Sequence, residues 1–164
     1  MSILTMPIVQ LALAQLDQKE EWIQFKDAKL TFWLPKGWAK HEIREYDILQ
    51  LLSPDQVIAL MFVIMETNNA ELILNELERT IASTIQDIRF EIEPKVIYIN
   101  DLPTLTTKGT ALSNGVPVKF RIWLVQNQHK SLLAFSIRNE KDTTKYEQEV
   151  ENITSSIQTF KDEE

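Results

Sequence analysis

TLTTKGTALSNGVPVKFRIWLV, residues 104–125, holds two runs of strand-forming residues that meet at Ser113-Asn114-Gly115. Asn-Gly between two such runs is the strongest short hairpin signal, because both central residues of a type I′ turn take positive φ. The first run, Thr104 to Leu112, is rich in Thr, whose branched Cβ suits a pleated surface. In the return run, Val116 to Val125, successive side chains alternate between faces. Val118, Phe120, Ile122 and Leu124 share one face, while Lys119, Arg121 and Trp123 share the other. The stretch predicts an antiparallel hairpin with one apolar face and one mixed face.

Neighbouring segments extend the hairpin into a sheet. Ser131 to Arg138 reads as the next strand after a turn at Gln126–Lys130. Upstream, Ile88–Ile92 and Lys95–Ile99 are expected strands, with turn chemistry at Asn100-Asp101-Leu102-Pro103. Earlier still come Trp22–Phe25, Lys29–Leu34, Ile48–Ser53 and Val57–Met65, punctuated by Pro35-Lys36-Gly37 and Pro54-Asp55. Trp38 follows Gly37 directly and is expected to pack back over the sheet. Val57–Met65 is apolar in both alternating sets, the pattern of a central strand covered on each side.

Two segments carry helical periodicity. Asn68 to Gln86 contains no Gly or Pro, and Asn68 and Glu71 have the spacing of a capping box. Leu74, Leu77, Ile81 and Ile85 form its apolar stripe. A second helix is expected over Asp142–Gln158, with Thr144 and Glu147 as its capping box. Tyr146, Val150, Ile153, Ile157 and Phe160 recur along it, and Lys145, Glu147, Glu149, Glu151 and Asn152 lie opposite. The order is strands, helix, a meander of strands, helix. Short turns predict an α+β fold, a mostly antiparallel β-sheet with helices on both faces, an α/β/α sandwich. Residues 22–164 read as a single domain after an N-terminal apolar segment, residues 1–21.

Within that segment, Ala12-Leu13-Ala14 has the small-x-small form of a signal-peptidase site. No Lys or Arg precedes the apolar run Ile8–Leu16, and Pro7 and Gln10 interrupt it, which favours a short amphipathic or capping helix. Both readings stand, so periplasmic or secreted versus cytoplasmic location is left open. The run is too short to span a bilayer.

The composition narrows function by exclusion. A length of 164 residues with 44% hydrophobic and 25% charged residues supports a core that needs no staples. The net charge of −7 argues against nucleic acid as a partner. Most of that charge, −5, lies from Glu140 onward, where the solvated face of a helix and an acidic tail account for it. The absence of cysteine removes disulfides, thiolate metal sites and cysteine nucleophiles. His41-Glu42-Ile43-Arg44-Glu45 has Glu where a zincin motif needs its second His, and it sits in strand or loop context. His129 falls in a turn. Three glycines, Gly37, Gly109 and Gly115, cannot assemble a phosphate loop, and no Gly-x-Ser-x-Gly is present. Glu66 is the best candidate for a buried carboxylate. Asn152-Ile153-Thr154 matches a glycosylation sequon but falls inside a helix. No metal or other cofactor is expected. Trp123, beside Lys119 and Arg121, is the candidate docking patch, provided that face of the sheet is uncovered.

Leu30-Thr-Phe-Trp-Leu-Pro-Lys-Gly-Trp38 resembles the opening of the PsbP family and its bacterial relatives, whose domains begin with a strand ending in Pro-x-x-Trp. Ile99-Asn-Asp-Leu-Pro103, Thr107-Lys-Gly-Thr-Ala111, Asn114-Gly-Val-Pro-Val118 and the closing amphipathic helix are similar to their second half. The resemblance covers roughly residues 22 to 160. It implies an α/β/α sandwich shared by photosystem accessory proteins, a Ran-GTPase release factor, DcrB-like envelope lipoproteins and the Eag chaperones of secreted effectors. It implies binding or chaperoning rather than catalysis, and the absent lipobox cysteine argues against a lipoprotein branch. No branch's binding residues are matched here. The expectation is a non-enzymatic module with a protein partner, compatible with a homodimer. The rivals are a cytoplasmic chaperone shielding apolar segments of a secreted effector and, less favoured, a small hydrolase using clustered carboxylates.

Overall fold

A computed structural model of the chain describes residues 19–43, 48–81, 85–142 and 145–160. Its first five strands are β1 (Glu21–Phe25), β2 (Leu30–Leu34), β3 (Ala39–Ile43), β4 (Ile48–Leu52) and β5 (Ile58–Met65). Helix α1 (Ala70–Ile81) precedes β6 (Ile85–Phe90), β7 (Lys95–Ile99), β8 (Leu102–Ser113), β9 (Val116–Asn127) and β10 (Lys130–Asn139). Helix α2 (Glu147–Ser155) and the short β11 (Gln158–Thr159) follow. This is an α+β fold in which antiparallel strands dominate.

The expected hairpin joins β8 to β9, with φ of 51° at Asn114 and 80° at Gly115. Its register sets Lys108 opposite Arg121 and Thr110 opposite Lys119. A second tight turn, with positive φ at Gln128, feeds β10 back beside β9. The large sheet has the order β3-β4-β5-β10-β9-β8-β6, and β7 shares the outer side of β8 with β6. The centre of the sheet is therefore β10 rather than β5, although β5 does contribute both its faces to buried clusters. A separate three-stranded sheet, β1-β2-β11, was not expected. Its third strand, drawn from the end of the predicted second helix, lies more than a hundred residues from β2.

Strand parity divides the core into two clusters. On one face Leu60, Phe62, Trp123, Val125, Leu132 and Ala134 meet the small sheet, Trp38 and the Val150, Ile153 and Ile157 side of α2. Phe32 stacks on Phe62 with centroids 4.4 Å apart. Trp38 is fully buried there, as its place after the turn implied. On the other face Met61, Phe120, Ile122, Leu124, Leu133 and Phe135 pack with Ile73 and Leu77 of α1.

The helices differ from the sequence expectation in several ways. The buried side of α1 is Ile73 and Leu77, with Leu74 only partly buried. Ile85 instead opens β6, so this strand starts earlier than Ile88. The cap is Asn69, whose Oδ1 accepts from the Leu72 amide at 3.1 Å. Asn68 instead donates to the Gln128 carbonyl. Helix α2 is shorter than expected at both ends, and its N-cap residue, Tyr146, makes no side-chain capping bond. The apolar segment before residue 19, Arg44 and Glu45, the Ile81 side chain, Thr144 and the acidic residues after Phe160 lie outside the described residues.

Three substitutions test this account. Asn69→Ala should cost about 1 kcal/mol in urea unfolding and Asn68→Ala clearly less, the reverse of a cap at Asn68. At Gly109 a Cβ would lie 2.2 Å from the Arg89 carbonyl and 2.7 Å from the Phe120 ring. Gly109→Ala should therefore destabilise by about 1–3 kcal/mol or displace β6, which amide exchange across β6 would report.

Candidate functional site

Directly opposed residues of antiparallel strands share a face, so the registers of β8, β9, β10 and β5 define rows across the sheet. One row is Thr106–Trp123–Ala134–Phe62, which is core. The next two rows on the same face change character. Lys108–Arg121–Ser136–Leu60 and Thr110–Lys119–Arg138–Ile58 place four cations on three adjacent strands. They line a cavity of about 400 Å3 between the sheet and α2, together with Glu91, Glu147 and Glu151.

Helix α2 is held in place independently of these charges. Trp38 Nε1 donates to Glu149 at 3.1 Å, and the Ser156 hydroxyl accepts from the Trp33 amide at 2.8 Å. Asn100, at positive φ in the β7–β8 turn, donates to the carbonyls of Ser155 and Ile157 at 3.0 and 2.8 Å. These bonds satisfy acceptors at the helix end that the helix itself leaves open. So anchored, α2 presents Glu147 to Arg138 Nε at 2.5 Å and Glu151 to Arg121. The Arg121 guanidinium also sits 4.6 Å from the centroid of Trp123, in cation–π geometry. Partial burial lowers its pKa from the usual arginine value, yet arginine remains charged in proteins. Lys108 and Lys119 are exposed and have no ion-pair partner among the described residues.

The three residues singled out in the sequence, Lys119, Arg121 and Trp123, do share a face. Trp123, however, is only 1% exposed. Its ring cannot serve as docking surface, because α2 and the small sheet cover that part of β9. What the face offers at its margin is charge. Lys108 and Arg138 complete the group and were missed, although hairpin register from Asn114-Gly115 places Lys108 across from Arg121. The same counting through the Gln128–His129 turn places Arg138 across from Lys119.

The other sequence candidates lie elsewhere. Glu66 is 74% exposed and pairs with Lys130 at 3.3 Å, so it is not a buried carboxylate. His129 is exposed, and His41 stands on the edge strand β3 opposite Gln50. Thr154 of the sequon is buried and bonded to the Val150 carbonyl. Among the described residues no group of three or more His, Cys, Asp or Glu is placed to hold a metal ion. No helix among them is long and apolar enough to cross a membrane.

No known family model matches the sequence, and no curated protein sequence does. Solved structures do match. The solution structure of cyanobacterial PsbP from Synechocystis has a TM-score of 0.65 at 12% identity, covering 87% of this chain and 94% of that one. The fold is PsbP-like. A similar structure is LpqN, involved in cell envelope biogenesis of Mycobacterium tuberculosis, with a TM-score of 0.60 at 8% identity. It covers 86% of this chain and 90% of LpqN. A Bacteroides thetaiotaomicron protein also matches with a TM-score of 0.60 at 13% identity over 88% of this chain. The chain spans only 49% of that protein. At these identities the PsbP-like likeness concerns the fold.

The paired Arg138 is 19% exposed and Glu147 55%. A double-mutant cycle with Arg138→Gln and Glu147→Gln should give a coupling of about 0.5–1 kcal/mol. It should shrink in about 1 M salt, where screening acts within a few ångströms.

Proposed function

We propose that the chain is a non-enzymatic accessory module that holds a protein partner against the cationic margin of its large sheet. The observation that carries this reading is the group of cations Lys108, Lys119, Arg121 and Arg138 in one cavity of an otherwise acidic protein. A surface of opposite sign to the rest of the molecule steers a partner of complementary charge. The cavity's titratable side chains are cations and their counter-charges, with no histidine among them. Two PsbP-like proteins support the reading by analogy, cyanobacterial PsbP and an envelope-biogenesis protein. The division of the core supports a helix on each face of the large sheet, α1 with one buried cluster and α2 with the other. The four cavity cations lie on the α2 side.

A second reading has its own observation. Val96 and Tyr98 on β7 are 61% and 72% exposed, and Phe90 on β6 is exposed as well. An apolar margin of this kind suits a chaperone that shields apolar segments of a client.

A photo-crosslinking residue placed at 110, on the same face directly opposite Lys119, or at 96 separates the two readings in the native cell. The expected result is a discrete protein adduct from position 110 that weakens with Lys108→Gln. An adduct from position 96 alone would replace the accessory reading by the chaperone, and turnover of a small substrate at the cavity would overturn both.

A further inference from the structure

The cavity already holds one pair of carboxylates on two of its cations. Arg121 and Arg138 lie on a diagonal across β9 and β10, because Arg121 is opposite Ser136 and Arg138 is opposite Lys119. Helix α2 answers this diagonal with Glu147 on Arg138 and Glu151 on Arg121. The match is geometric: helix positions i and i+4 are about 6 Å apart along the axis, and diagonal neighbours on a sheet are separated by roughly 7 Å.

Lys108 and Lys119 repeat that diagonal in the same sense, one strand further out. Lys108 shares its row with Arg121, and Lys119 shares its row with Arg138. The outer diagonal has no ion pairs among the described residues. The remaining lining carboxylate, Glu91, is tied by its amide to the Lys108 carbonyl at 2.9 Å but makes no ion pair with either lysine. Among the described residues, Glu91, Glu147 and Glu151 set against four cations leave the lining with an excess of one positive charge. Like charges in adjacent cross-strand positions repel, so a second pair of carboxylates relieves a strain that α2 relieves only for the arginines.

We propose that Lys108 and Lys119 receive two carboxylates spaced one helical turn apart on an acidic segment of a protein partner, a second Glu-x-x-x-Glu lying beside the one in α2. The proposal rests on the docking face assigned above and names the chemistry that face selects. Lysine suits a reversible contact here, as a hydrated point charge on a flexible stem, while arginine forms the fixed internal pairs.

Fluorescence anisotropy of the intact chain with three labelled helical peptides tests it. One carries Glu at i and i+4, one carries Glu at i and i+2, and one carries Gln at i and i+4. The first should bind at least about tenfold more tightly than the others, and binding should weaken as salt rises from about 50 to 500 mM. Lys108→Gln with Lys119→Gln should remove the preference while leaving the circular dichroism spectrum unchanged, since both side chains are exposed. Equal binding of the three peptides, or retention of the preference in the double variant, would overturn the pairing. So would inorganic pyrophosphate displacing the first peptide at lower concentration than a Glu-rich competitor, which would make the site a small-anion site. Self-association of the free chain that Glu147→Gln and Glu151→Gln abolish would reassign it to a second copy. Absence of the crosslink at position 110 removes the docking face itself, whereas loss of peptide preference with that crosslink intact removes only the carboxylate pairing.

Discussion

A strand commits each residue to one face by parity, and β9 is where this constraint shapes the molecule most. Its even positions, Val118 to Leu124, are all apolar and buried. They demand a cover, which α1 supplies through Ile73 and Leu77. Its odd positions begin as Lys119 and Arg121 and end as Trp123 and Val125. One face of one strand is therefore solvated at one end and core at the other. The neighbours follow suit, because register ties Lys108 and Arg138 to the charged end and Ala134 and Phe62 to the apolar end. Helix α2 can satisfy this face only by being amphipathic in the same sense. It sets Val150 and Ile153 toward the core, and Glu147 and Glu151 toward the cations.

The parts of the fold that were legible in the sequence are those written in local chemistry. Asn114-Gly115 fixed a turn type, and with it the register of the longest hairpin. The two-faced apolar run of β5 announced cover on both sides. Trp38 after Gly37 reached the core as expected. Legibility failed where tertiary context chose between equivalent local options. Asn68 and Asn69 are both good caps, and the chain uses Asn69 because Asn68 is engaged with the β9–β10 turn. Ile85 continues a helical stripe as readily as it starts a strand, and pairing with Ser113 of β8 decided the matter. The small sheet was invisible because its closing pair, Gln158 with Thr31, is a contact across nearly the whole chain.

The candidate site was half legible for the same reason. Alternation put Lys119, Arg121 and Trp123 on one face, and they are on one face. Whether that face is open depends on where α2 docks, and the anchors of α2 are non-local: Glu149 on Trp38, Ser156 on the Trp33 amide, Asn100 on the Ser155 and Ile157 carbonyls. Those bonds bury Trp123 and leave the lysines out. Lys108 and Arg138 were within reach, since each follows from a tight turn and a count of residues.

Four cations on adjacent strands are a poor choice for stability alone. Opposed like charges cost free energy, and a guanidinium half removed from water costs more. Apolar residues at positions 108 and 119 would extend the core face toward the sheet margin, and neutral ones would at least end the repulsion. Sequences depart from such local rules mainly where function requires it. The departure is graded here in an informative way. The two inner cations are neutralised by fixed carboxylates and one is stacked on Trp123, so they behave as structure. The two outer ones carry the same geometry without the partner. A fold that had placed all its cations merely to bind α2 would have stopped at the arginines.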